Sequence, residues 1–263
     1  YAVATSSGTA ALHLALLCAD VGPEDEVVMP SMTFIAPANA IRYCGAWPIF
    51  IDSDPIYWQI DTEKISNFLL KECEWRHGQC HKRVTGRRVI ALLPLHVLGH
   101  PCDLDTINSL AQKYALTVIE DASERLGAQY KGYPIGGGEN IVCFSFNGNK
   151  IITTGGGGMI VTNNPQMASR AKHLTTQAKT DPIEYDHDEI GYNYRLSNLQ
   201  AAVGCAQMEV LNNYVETKRQ IAHYYNKNLE PIEGIRVPLE MEWASNVYWL
   251  YTCLLYTSDA ADE

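Results

Sequence analysis

The chain has 263 residues, enough for one large α/β domain or one domain with part of a second, and its 46% hydrophobic content beside 19% charged residues describes a globular chain and excludes a disordered one. A net charge of −10, with Lys and Arg in no long stripe, offers no footing for a nucleic-acid backbone, and no apolar run is long enough to cross a bilayer. Eight scattered cysteines, several inside apolar segments, behave as small hydrophobes and point to a reducing, cytoplasmic compartment.

Strands and helices alternate from the first residues. AVAT, 2–5, reads as a strand leading into SSGTAALHLALLCAD, where Ala10, Leu14 and Leu17 fall at helical spacing. EVVMP, 26–30, is a short buried strand, TFIAPANAIRYCG a helix, and PIFID, 48–52, the next strand, followed by a helix near 62–71. CEWRHGQCH, 73–81, reads as an irregular loop. Its two Cys and two His match no zinc spacing and no second ligand pair follows, so no metal is expected. The basic run HKRVTGRR, 81–88, reads as a solvated loop edge.

RVIALLPLH, 88–96, is a buried strand candidate, DLDTINSLAQKYA a helix capped by Asp103 or Asp105, and LTVIED, 116–121, another buried strand. Beyond a glycine run, MIVTN is one more strand. Two helical stretches follow, 165–178 and 197 to about 229, the second long enough to connect into another domain. PIEGIRVP reads as that domain's first strand and NVYWLYT as a further apolar strand. The alternation predicts an α/β fold with a mostly parallel sheet covered by helices on both faces.

In such a sheet, ligands collect beyond the carboxyl ends of the strands. Three stretches lie there: SSGT, 6–9; Glu120 and Asp121; and FSFNGNKIITTGGGG, 144–158. SSGT is either an ordinary cap or a phosphate-holding helix start, with Gly8 allowing close approach. Asp121 ends an apolar strand, where a carboxylate needs a cation or a donor. Lys150 precedes its glycines and is followed by Ile151, so it is no nucleotide-loop lysine, and the glycines run into a strand and open no helix. Its apolar flanks favour an amine on a partly buried wall, with its pKa lowered from about 10.4. An amine, a deep acid and a phosphate-holding helix start are what pyridoxal phosphate requires.

The segments VATSSGTAALHLAL, GPEDEVVMPSMTFIAPANAI, LPLHVLGHPCDLD, VIEDASERLGAQYKG, CFSFNGNKIITTGGGGMIVT and EIGYNYRLSNLQAAVG together resemble the DegT/StrS-type nucleotide-sugar aminotransferases, in the family's order from 1 to about 213. The resemblance implies the fold-type I large domain of pyridoxal phosphate enzymes, with a truncated C-terminal small domain. It implies that Lys150 is the Schiff-base lysine and Asp121 the partner of the pyridine nitrogen. Phe34 would stack on the cofactor, the alternative being a core aromatic. Gly8, Thr9 and Ser145 would hold the phosphate, and Asn193 would reach the phosphate of a neighbouring subunit in a homodimer with shared active sites.

Glu124 stands where many members carry Gln; a carboxylate facing the cofactor's ring hydroxyl needs a raised pKa or a different role. With NGNKIITTGGGG, it resembles the branch acting on UDP-linked 4-keto-6-deoxy-N-acetyl sugars. The implied activity moves an amino group from glutamate to C4 of a nucleotide-linked 4-keto-6-deoxy sugar for surface polysaccharide or glycan synthesis. Two alternatives are a cofactor-dependent sugar dehydratase, whose members carry histidine in place of the lysine, and a regulatory ligand-binding relative.

The expected organisation is a cofactor-binding domain over 1–212 with its N-terminal lead missing, since Tyr1 opens directly on a strand. A connector and the start of the small domain follow over 213–252. The string CLLYTSDAADE, 253–263, resembles a translated transposase adapter and is expected to be a non-native tail.

Overall fold

The computed structural model describes residues 1–256 except 135, 137 and 182. Strand β1 (Ala2–Thr5) leads into α1 (Gly8–Cys18), whose residues are buried on nearly every side. A helix that is apolar all round has to be enclosed, and α1 lies between the sheet, α2 (Ile35–Tyr43) and α5 (Pro165–Thr175). β2 (Glu26–Pro30) and β3 (Trp47–Ile51) flank α2, and α3 (Thr62–Lys71) begins with the Asp61 carboxylate accepting from the Lys64 N–H.

Residues 73–82 differ from the loop expected there. They form a hairpin of β4 (Cys73–Arg76) and β5 (Gln79–Lys82), turned by His77 and Gly78, both at positive φ. A two-residue turn of that kind matches strand twist, and it lets Cys73 and Cys80 face the core together. The basic run beside it is a charge-paired edge: Arg83 meets Glu74, Arg87 meets Glu24, and Arg88 meets Asp25 at 2.7 Å.

β6 (Val89–Leu92), α4 (Leu104–Lys113) and β7 (Thr117–Asp121) follow as read, with β6 shorter than expected; Asp103, not Asp105, caps α4. Short strands β8 (Gln129–Tyr130) and β9 (Tyr133–Pro134) precede β10 (Ile141–Ser145) and β11 (Gly158–Val161). The sheet order is β1-β11-β10-β7-β6-β2-β3. β11 is antiparallel to both neighbours and every other pairing is parallel, so β1, β7 and β10 all end at one edge.

The single long helix expected over 197–229 is two helices, α6 (Asn198–Glu209) and α7 (Leu211–Leu229), parted at Val210. Leu211 and Val215 there seat on Gly127, where a Cβ would lie 2.7 Å from Val215. β12 (Ile235–Arg236) pairs with β14 (Leu254–Leu255), and β13 (Ala244–Ser245) with β8. NVYWLYT is not a strand. Tyr248 has φ +47°, and Val247 and Trp249 pack as an irregular segment against an apolar cluster that includes Val142, Phe144, Phe146 and Ile152. Of the expected tail, 257–263 lies outside the described residues.

Candidate active site

One cavity of about 310 Å³ opens where β1, β7 and β10 end. At its floor the Ser7 hydroxyl caps α1 by accepting from the Ala10 N–H at 3.0 Å. Gly8 is required there, since a Cβ would lie 2.7 Å from the Ser145 Cβ and 3.3 Å from the Ser123 hydroxyl. Its absence draws the hydroxyls of Ser123 and Ser145 against the first turn of the helix, where free N–H groups and the macrodipole favour an anion.

The glycine run explains itself by position. Gly155 and Gly157 have positive φ, and a Cβ on Gly158 would meet the Ser7 carbonyl oxygen at 2.5 Å and the Gly8 nitrogen at 2.8 Å. Gly158 therefore admits β11 to the back of the helix start, the close approach that glycine alone permits.

β7 delivers Asp121, which is 3% exposed and accepts the Ser123 N–H at 3.0 Å. Burial raises its carboxyl above the ordinary range, against the lowering effect of Ser123 and Lys150. Glu124 follows in the next turn. Burial pushes its carboxyl up to about 7, although the Leu98 N–H donates to it at 2.7 Å and the Lys150 amine lies 3.9 Å away. Lys150 is itself pushed down by burial, with Glu124 and Asp121 opposing the shift.

Gly8, Thr9, Phe34, Asp121, Glu124, Ser145 and Lys150 all line this cavity. Phe34 is 71% exposed at the mouth, which removes the core-aromatic alternative. Asn193 does not line it; the residue is exposed and bridges to Thr176. The sequence reading missed Ser123, Asn147 and Trp249. Ser123 could have been found as the donor two residues after a buried acid, whereas nothing local marks Trp249, about a hundred residues beyond the lysine. A larger open groove, about 1180 Å³, lies at the opposite ends of β7 and β10 and contains none of the seven.

The residues fit pyridoxal phosphate. Asp121 is a buried acid in need of a cation, as a protonated ring nitrogen would be; the hydroxyl-lined helix start suits a phosphate; and the amine of Lys150 has lost part of its hydration. Among the described residues, His173, Asp188 and Glu189 are the group whose ligand atoms converge closely enough for a metal, and they lie at the surface away from this cavity. Among the described residues no helix is long and apolar enough to cross a membrane.

Known proteins carry the same arrangement of chain. This sequence is 40% identical to GDP-perosamine synthase of Escherichia coli O157:H7 over all of this chain and 67% of that protein. The structure of DesV from S. venezuelae superposes with a TM-score of 0.88 at 32% identity, over 98% of this chain and 65% of that one. NtdA from Bacillus subtilis, solved with its cofactor PMP bound, gives 0.84 at 29% identity, over all of this chain and 56% of its own. The chain thus spans about two thirds or less of the length of these relatives. Its fold is that of the fold-type I pyridoxal phosphate aminotransferases, and pyridoxal phosphate is the family's cofactor. With the family pattern matched over residues 1–263, the chain belongs to the DegT/DnrJ/EryC1/StrS aminotransferase family.

Proposed function

We propose that the protein moves an amino group from glutamate to the C4 keto group of a nucleotide-linked 4-keto-6-deoxy sugar. The observation that carries this reading is the meeting of a buried amine, a buried acid and a helix start in one cavity: Lys150, Asp121 and the Ser7–Gly8–Thr9 turn. The relative named GDP-perosamine synthase, whose name gives a GDP-linked amino sugar as its product, supports a nucleotide-linked sugar as the acceptor.

When bound, pyridoxal phosphate supplies an electron sink for the carbon that loses its proton. Ser7, Thr9, Ser123 and Ser145 would hold the phosphate at the α1 start, with Gly8 giving the backbone its close approach. Asp121 would keep the ring nitrogen protonated, since burial denies its carboxylate any cheaper counter-charge. Phe34, at the mouth, would cover the ring. Lys150 Nζ would hold the group covalently and, once released, take and return the substrate proton as general base, a role suited to an amine whose basicity burial has lowered. Glu124, with a carboxyl near neutrality, would share a proton with the ring hydroxyl without a fixed repulsive charge. Asn193, exposed and outside its own cavity, would serve a neighbouring subunit in a homodimer.

The test is to incubate the full-length protein with glutamate and 4-keto-6-deoxy sugars linked to GDP or UDP, following 2-oxoglutarate release and the amino sugar by mass. Lys150→Ala should lose both products and the absorbance of the lysine-bound cofactor measured before glutamate is added. Turnover that survives in Lys150→Ala would overturn the assignment, and turnover with one nucleotide alone would fix the substrate class.

A further inference from the structure

The Lys150 side chain is 13% exposed and has two close neighbours of opposite character: the Glu124 carboxylate, 3.9 Å from Nζ, and the ring of Trp249, whose centroid is also 3.9 Å from Nζ. A cation over an indole face is attracted by the ring quadrupole, most strongly where water is excluded. Trp249 is buried, and its own N–H donates to the Asn149 carbonyl at 2.7 Å, so the ring is anchored to the residue beside the lysine it covers.

One turn holds both neighbours. Leu98 occupies the left-handed region, φ +59°, unusual for a residue with a Cβ. From there its N–H donates to Glu124 Oε2 at 2.7 Å, and its carbonyl accepts the backbone N–H of Trp249 at 3.0 Å, the indole N–H being the one on Asn149. Gly99 completes the junction: a Cβ there would lie 2.7 Å from Val247, 3.0 Å from the Glu124 carbonyl and 3.1 Å from the Trp249 nitrogen. The backbone is thus strained and stripped of a side chain where the segment around 247–249 closes on the turn after β7. Strain held in place by its surroundings is characteristic of sites where geometry matters.

We propose that Trp249 is a positioning residue for Lys150, its indole face fixing the ammonium group between the ring and Glu124. The contribution to catalysis rests on the proposed role of Lys150, whereas the contact itself can be read without substrate or cofactor. The charged groups facing the amine are Glu124, from the turn after β7, and Asp121, at the end of β7; the other described residues lining the cavity carry no charge. Both carboxyls are themselves raised by burial, which leaves the ring as a partner for the cation that does not titrate.

The experiment uses the cofactor-free full-length protein and its Trp249→Phe, Trp249→Leu and Trp249→Met variants. Lys150 is titrated by competitive trace acetylation from neutral to alkaline pH, with the peptide quantified by mass spectrometry. Loss of the aromatic face in the Leu and Met variants should lower the midpoint by about one pH unit, while Phe should stay near the parent protein. The inference is overturned if Phe moves the midpoint as far as Leu, or if Leu and Met leave it unchanged or raise it, because the ring would then act only as bulk against water. Lys150→Ala, examined beside them for cofactor uptake, keeps the two readings apart: covalent uptake that survives would sink the role of Lys150 and leave the Trp249 result standing.

Discussion

Glu124 carries one oxygen on the Leu98 N–H and the other 3.9 Å from the Lys150 amine, and its carboxyl still rises to about 7 because burial outweighs both. The sequence posed this residue as a choice between a raised pKa and a different role, and the surroundings favour the first. The sign of its linkage is fixed. A carboxyl raised from 4.5 to about 7 contributes stability that is fully present below 4.5 and is lost as pH climbs through 7. Glu124→Gln, which keeps the acceptor for Leu98, should therefore gain on the parent cofactor-free protein across that window. The gain should reach about 3 kcal/mol at most in urea unfolding. A difference between the two proteins that stays flat with pH would show that Glu124 titrates normally. The residues near the chain's own motifs were legible because their chemistry is local. Lys150 announced itself through its apolar flanks, and Asp121 through its place at the end of a buried strand.

The contact between β11 and the start of α1 is a backbone-to-backbone one, and it sets how each element responds to change. Gly158→Ala would push a methyl group into the Ser7 carbonyl, which cannot yield without moving the helix start. Cofactor affinity should fall at least about tenfold and stability by about 1–3 kcal/mol, measured by equilibrium dialysis and thermal melting. Ser7→Ala removes only the cap to Ala10, costing about 1 kcal/mol. An Ala at 158 that bound cofactor normally would show the approach of β11 to be incidental. Most elements could be read from periodicity, and the exceptions are instructive. The 73–82 hairpin hid behind mixed charges, since only its turn residues, His77 and Gly78, carry the signal. The break at Val210 is marked by no Gly or Pro, only by the weak helix formers Val210, Asn212 and Asn213, and Leu211 and Val215 seat on Gly127 beside it.

Across the whole molecule, a buried polar cluster ties the strands behind the cavity together. The Cys102 N–H donates to His96 Nδ1 at 3.0 Å, so the ring hydrogen sits on Nε2 and meets Glu120 at 2.9 Å; Arg125 packs against the ring and lies 3.4 Å from the same carboxylate oxygen. Burial and the Arg125 charge push His96 down to about 4, so it stays neutral. Burial works against the Glu120 charge, but bonds from His96, Arg125 and Asn140 hold that carboxyl below the usual range. Both groups contribute stability that is present above the unfolded pKa and lost on acidification, for His96 between 6.5 and about 4. His96→Gln should flatten the acid side of the unfolding profile by about 3 kcal/mol at most, and an unchanged slope would show that His96 takes up its proton in the folded state. The sequence by itself determined the alternation of strands and helices, the lysine, the acid and the helix start. Each is written in residues adjacent along the chain, where period, capping and flanking polarity act. Only the tertiary structure decided that Glu124 and Trp249, tied together through Leu98, close on one amine, that Arg125 is buried, and that α7 departs at Val210. Those are meetings between segments far apart in sequence, fixed by packing that no local pattern encodes.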